Sequence, residues 1–300
     1  MTLLQLAERY FLFQVLKQES QNCYLATVKT LEKQLPAEAL SDIRNITTEM
    51  LLQFRAILLK KGSPVSFNTH RNRLRTLCRF AVQDGALSAN PVERVGLAPV
   101  PEKRQKTIST EVARLAISHL EASSKDPVLA KFWIAVTKML YYTGIRRRQL
   151  VGLRWGDIDF ARELLTLRSD SSKTRREWLI PLPTDTVSEL KWLREKRLES
   201  RKMIDPDDPV FDITLLRANA PVLSGPAVTT YYWNLGQKLS LKISPHRFRH
   251  SVATEIVNST GNLRVAQEIL GHADVKTTCG YVQPSTSAMR SAMQHIASLG

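Results

Sequence analysis

Residues 95–110, VGLAPVPEKRQKTIST, constrain the fold more than any other stretch of this chain. They hold Pro99 and Pro101, a cluster of cations, and no apolar repeat at helical or strand spacing. Such a composition reads as an extended linker, so no single helical bundle or sheet can run through it. The cut falls at 97–107 and predicts one domain over 1–96 and a second from 108 onward. Three hundred residues are enough for two domains of ordinary size.

Residues 1–90 read as helical throughout. In RLRTLCRFAVQDG, Leu74, Leu77, Cys78, Ala81 and Val82 recur at the spacing of a core-facing stripe, and Asp84-Gly85 ends the helix. Arg71, Arg75 and Arg79 repeat every four residues on a neighbouring stripe, as a row of guanidinium groups tracking phosphates would. The first helix is apolar at Leu3, Leu4, Leu6, Ala7, Tyr10 and Phe11 and is a candidate contact surface. Beyond the linker, Ser109 or Thr110 caps a helix, and KFWIAVTKMLYYTG is apolar on nearly every side. Residues 163–182 alternate Leu165/Leu167 and then Trp178/Ile180/Leu182 about a polar turn, which predicts a β-hairpin with Lys173 at or near its tip. Helices are expected at 184–203, 226–239, 245–259, 263–270 and the C-terminus. The last would place Ala288, Met289, Ala292, Met293, Ile296 and Ala297 on one face. The fold class is thus mainly α with a small β-sheet.

Lys and Arg number 43 against 28 Asp and Glu, a formal charge of +15. Residues 1–106 carry 16 basic and 9 acidic residues and 107–300 carry 27 and 19, so both domains are cationic. A polyanion partner follows, with nucleic acid the obvious candidate. No stretch has the apolar length of a membrane span, and the first twenty residues lack a signal peptide's basic start and cleavage site. Cys23, Cys78 and Cys279 form no CxxC pair, which suits a reducing cytoplasm; Cys279 reads as a small core residue.

Four patterns in the second domain carry the functional reading. TGIRRRQLVGLRWGDID (143–159) offers a glycine turn followed by Arg146 at a helix start. Lys173 lies on the hairpin. SPHRFRHSVATEI has Ser244 as N-cap, Pro245 at the first helical position, and His246 and Arg249 three apart on one face. LRVAQEILGHADVKTTCGY ends a helix at Gly271, then presents His272 and, nine residues on, Tyr281. In order and spacing these resemble the tyrosine recombinase (phage integrase) family. NTHRNRLRTLCRFAVQDGALSANPVERV resembles the end of that family's core-binding domain, so the resemblance spans most of the chain.

The resemblance implies a helical core-binding domain (1–96), a basic linker (97–107), an α+β catalytic domain (108–284), and a C-terminal helix (285–300) that docks on a neighbouring protomer. Together the two domains would form a C-shaped clamp around DNA. Lys103, Arg104 and Lys106 join Arg71, Arg75 and Arg79 as DNA-binding candidates. The start at the core-binding domain suggests the compact members, such as integron integrases and chromosome-dimer resolvases, bacterial or phage-encoded and nucleoid-associated. The implied reaction is site-specific strand exchange by a homo-tetramer on two duplexes, with accessory DNA-bending or regulatory proteins.

Chemistry fits the same residues. Attack on a phosphodiester builds charge on its non-bridging oxygens, and two arginines can clamp these with planar donors, which assigns Arg146 and Arg249. Lys173 would protonate the leaving 5′ oxygen, with Arg175 and Arg176 as rivals in the same run. His246 would assist deprotonation of the Tyr281 phenol, whose ordinary pKa is about 10, and His272 would hydrogen-bond the phosphate. A covalent 3′-phosphotyrosyl bond keeps the energy of the broken one, so neither metal nor cofactor is called for.

Three other readings compete. Residues 262–281 also fit a helix-turn-helix regulator, the same attack without synapsis would be a type IB topoisomerase, and IDPDDP (204–209) raises a metal-dependent nuclease against a plain surface turn. The chain departs from the family at Gln149, where a glutamate is common, at Val282-Gln283, and at Gly280 directly before the tyrosine.

Overall fold

The computed structural model describes residues 1–101, 107–123, 125–168, 177–217, 220–271, 278–279, 289–290 and 293–294. The chain forms two compact units, 1–103 and 104–300, each around its own apolar core.

The first unit is all helical: α1 (Leu3–Phe13), α2 (Gln18–Glu32), the short α3 (Ala37–Leu40), α4 (Thr48–Lys61) and α5 (Pro64–Gln83). Capping residues set the starts. The Thr2, Thr47 and Ser63 hydroxyls accept from backbone N–H groups of the following turn, and Pro64 supplies a pre-set first residue. Leu74, Leu77, Cys78 and Ala81 of α5 are buried, as their spacing requires, with Val82 half-buried. The apolar stripe of α1 is not a free contact surface: Leu3, Leu6 and Ala7 lie inside this core and Tyr10 and Phe11 pack at its edge, which leaves Leu4 exposed. The chain beyond α5 stays with the unit as far as Ala98, whose N–H and carbonyl are both bonded to the Asn68 amide, at 2.8 and 2.9 Å.

The second unit comprises α6 (Thr110–Ser123), α7 (Pro127–Thr143), α8 (Arg147–Val151), strands β1 (Ile158–Asp159), β2 (Leu164–Leu167) and β3 (Trp178–Pro181), then α9 (Thr184–Arg201), α10 (Gly225–Leu239), α11 (Pro245–Thr260) and α12 (Leu263–Leu270). Helix α7 is the axis of this unit. Asp126 caps it, Pro127 opens it, and buried side chains on nearly all sides let it pack against α6, α9 and α11. The sheet is antiparallel in the order β1-β2-β3. Leu165 faces Ile180 and Leu167 faces Trp178, so the residues that alternate in sequence form buried cross-strand pairs.

The acidic turn at 205–208 is spent on structure. Asp208 pairs with the buried Arg197 at 2.5 Å, Asp207 with Arg154 at 2.9 Å, and Asp205 accepts from the Asp207 N–H. Among the described residues no cluster of His, Cys, Asp or Glu could hold a metal ion, and no helix is long and apolar enough to cross a membrane. Cys279 is exposed and not a core residue, while its neighbour Thr278 is fully buried.

Candidate active site

The site is built where three helix ends meet. Helix α7 stops at Gly144, whose φ of +59° is left-handed, and whose missing side chain makes room for α12: a Cβ there would come within 2.9 Å of a Leu270 methyl. The chain then extends through Ile145, which is buried, into Arg146, the N-cap of α8. The Arg146 N–H donates to Gln149 Oε1 at 3.1 Å, so the residue three positions on closes the cap. Gln149 is 1% exposed, and its Nε2 is buried with no hydrogen-bond partner. The glutamine that departs from the family pattern therefore serves as an acceptor to the main chain of Arg146 while remaining neutral.

Helix α11 supplies the next two groups. The Ser244 hydroxyl accepts from the Arg247 N–H, and Pro245 sets the first turn. Arg249, 3% exposed, donates from Nη1 to the Gly144 carbonyl at 2.8 Å and from Nη2 to the Leu270 carbonyl at 2.6 Å. Those oxygens close α7 and α12, where carbonyls have no intrahelical partner and the helix dipole is negative, so a buried cation is well placed there. One side chain thereby joins the TG turn to the turn before His272.

His246 sits one helical turn before His250, with ring centroids 4.5 Å apart and nearly perpendicular. Burial first, and then the charges of Arg249 and Arg146, hold the His246 pKa below its ordinary value. Arg146, His246 and Arg249 thus share one electrostatic neighbourhood although 100 residues separate the first pair. His250 is pushed down to about 4, by burial and then by His246, Arg249 and Arg247. The lowered pKa favours the neutral His246 imidazole, the form that can accept a proton.

The three arginines after Ile145 are separated by their contacts. Arg146 is half-buried and acts on His246, Arg147 donates to the Thr229 hydroxyl of α10, and Arg148 is exposed. Lys173, its rivals Arg175 and Arg176, His272 and Tyr281 lie outside the described residues, as do Lys103, Arg104 and Lys106. In the first unit Arg71 is half-buried and donates to the Val95 and Val92 carbonyls. Arg75 is exposed and paired with Glu93 at 2.7 Å, and Arg79 is exposed.

Sequence reading named Gln149 as a departure without its capping role, for which the N-cap-plus-three position was the signal, and it missed two further supports. Ser251, on the helix that carries His246 and Arg249, is bonded to both the N–H and the carbonyl of Ile108, the first residues past the linker. Trp178 donates from its indole to the Ile269 carbonyl at 3.2 Å, a contact with no sequence signature.

Residues 107–287 match the model of the phage integrase family. Over 244 residues the chain is 30% identical to the tyrosine recombinase XerC of Salmonella typhi, an alignment covering 80% of this chain and 74% of that one. The fold is similar to that of the Tn1549 transposon integrase in complex with a circular intermediate DNA, with a TM-score of 0.80 at 17% identity over 99% of this chain and all of that one. It is also similar to a lambda integrase from a tetramer bound to a Holliday junction, with a TM-score of 0.71 at 20% identity over 94% of this chain and 78% of that one.

Proposed function

The chain belongs to the phage integrase family and is a site-specific DNA recombinase, and we propose that it cuts and rejoins DNA through a phosphotyrosine at Tyr281. The observation that carries this reading is the convergence of Arg146, His246 and Arg249, with the Arg249 guanidinium bonded to the turn that leads into Arg146. Two guanidinium groups beside a neutral imidazole form a site for a phosphodiester, fixed cations for its oxygens and a base for the attacking phenol.

In the proposed step the Tyr281 oxygen bonds to phosphorus while its proton passes to His246. The bond from phosphorus to the 5′ oxygen breaks, and Lys173 delivers a proton to that oxygen as it leaves. His272 hydrogen-bonds the phosphate. A 3′-phosphotyrosyl linkage and a free 5′-hydroxyl result. The hydroxyl of a second duplex then attacks the linkage and releases the tyrosine, and two such rounds exchange strands through a four-way junction. The lambda integrase tetramer bound to a Holliday junction supports a tetramer on two duplexes as the working assembly.

The core-binding domain, 1–96, and the catalytic domain, 108–284, each grip the duplex. Arg75, Arg79 and the linker cations Lys103, Arg104 and Lys106 neutralise phosphates; the Arg75–Glu93 pair is exposed, so a phosphate can displace the carboxylate at small cost. Arg71 contributes as a brace for residues 92–95. The C-terminal segment, with Met289 and Met293 exposed, docks on a neighbouring protomer. The enzyme works in the cytoplasm of its host with accessory DNA-bending proteins.

Covalent capture tests the reading. A nicked suicide duplex bearing the recombination site traps a 3′-phosphotyrosyl adduct with the wild type, and Tyr281→Phe abolishes it. An adduct that survives the substitution overturns the assignment of the nucleophile. Tight binding without any adduct supports instead a recombinase-derived regulator. Dimers and tetramers trapped on two duplexes separate recombination from topoisomerase action.

A further inference from the structure

Residues 269–271 end α12, and two parts of the second unit hold them. The Leu270 carbonyl accepts from Arg249 Nη2 at 2.6 Å. The Ile269 carbonyl accepts from the Trp178 indole N–H at 3.2 Å. Gly271 has a φ of +60° and lies so close to the Trp178 ring that a Cβ on it would overlap the indole. Trp178 is the first residue of β3, is 7% exposed, and is registered against Leu167 of β2. The sheet and α11 therefore grip one turn from two sides.

Helix-terminal carbonyls have no partner within their own helix, so external donors decide how firmly the last turn is fixed. Indole nitrogen is a donor only, and its ring plane fixes the direction of its single N–H. Loss of that bond frees the Ile269 carbonyl and loosens the peptide that presents the Leu270 oxygen to Arg249. Small displacements of a phosphate-binding group are costly, with about 1 Å able to cost about a hundredfold in rate.

We propose that Trp178 is a positioning residue for Arg249, acting through the turn at 269–271 that both side chains hold. The proposal rests on the reading of Arg249 as a phosphate-binding group. It places the control of that group partly in the sheet, at the foot of the hairpin on which the sequence carries Lys173.

The test is a double-mutant cycle on covalent adduct formation, with Trp178→Phe, Arg249→Lys and their combination at saturating suicide duplex. Trp178→Phe keeps an aromatic side chain at this position and removes the N–H together with part of the ring, so the cycle with Arg249→Lys separates lost positioning from lost packing. It slows adduct formation about tenfold, with duplex affinity within about twofold of wild type and an unchanged circular dichroism spectrum. In the Arg249→Lys background the same substitution costs less than about twofold, because the group it positions is already gone. Trp178→Tyr is carried in parallel, so that poor folding of one variant leaves the other to be read. A wild-type rate for Trp178→Phe beside a slow Arg249→Lys overturns the proposal, and so does a tenfold cost that persists in the Arg249→Lys background. A wild-type rate for Arg249→Lys alone overturns instead the reading of Arg249 on which the proposal stands.

Discussion

Gln149 separates two roles that a carboxylate would merge at its position. It accepts the Arg146 N–H and adds no negative charge beside the guanidinium, and it leaves a buried Nε2 unsatisfied. Gln149→Leu removes an unsatisfied buried donor but leaves the Arg146 N–H without its acceptor, so urea unfolding shows a net loss of about 1 kcal/mol. Adduct formation by the same variant falls about tenfold, since Arg146 loses its cap. His250 gives a pH prediction. Its folded pKa of about 4 lies below the ordinary 6.5, so between those values the unfolded chain binds more protons. Stability is therefore present above pH 6.5 and is lost as pH falls toward 4. Thermal melts at pH 7 and pH 4.5 show a larger drop for wild type than for His250→Asn, and equal drops refute the assignment.

Elements in this protein are joined at their ends. Helices α7 and α12 stop at glycines with positive φ, and Arg249 ties the two stops together. The Gly271 stop is doubly constrained, by its backbone conformation and by the Trp178 ring. Gly271→Ala lowers stability by about 1 kcal/mol for the conformation alone and more for the overlap, and its melting temperature falls accordingly. In the first unit Asn68 fastens α5 to the Ala98 backbone with two bonds. Asn68→Ala costs about 1–3 kcal/mol, from the unsatisfied groups left at Ala98, and speeds proteolysis within 97–107. Cleavage confined to other sites counts against that role. Ser251 does the matching work on the far side of the linker, bonding Ile108 to the helix that carries His246 and Arg249.

At the scale of the whole molecule the charge of +15 is the governing quantity. The proposed catalytic cations Arg146, Lys173 and Arg249 are three of the 43 basic residues, so the proposed grip on DNA backbone draws on the rest. The affinity for duplex falls with salt, and log K against log salt has a slope of about −0.9 for each phosphate neutralised. Arg79→Ala reduces that slope by about one contact, whereas Arg71→Ala leaves the slope unchanged and lowers stability, because its guanidinium is bonded to the Val95 and Val92 carbonyls. An equal loss of slope from both variants refutes the distinction. Separate cores in the two units also predict two calorimetric transitions for the free protein.

Local rules set much of this architecture from sequence alone. Caps at Ser244 and Ser63, stops at Gly144 and Gly271 and the hairpin alternation depend on a few neighbouring residues, and so does the order of motifs that revealed the family. Partnership across the chain is different. The sequence carries no signal for the bonds of Arg71 to the Val95 and Val92 carbonyls, the stripe of α1 reads as a surface and is core, and Trp178 carries no signal for its bond to Ile269. Such contacts join groups 20 to 100 residues apart. Only the packing of helices and sheet brings a donor to the one carbonyl that lacks a partner, and that choice is made by tertiary structure.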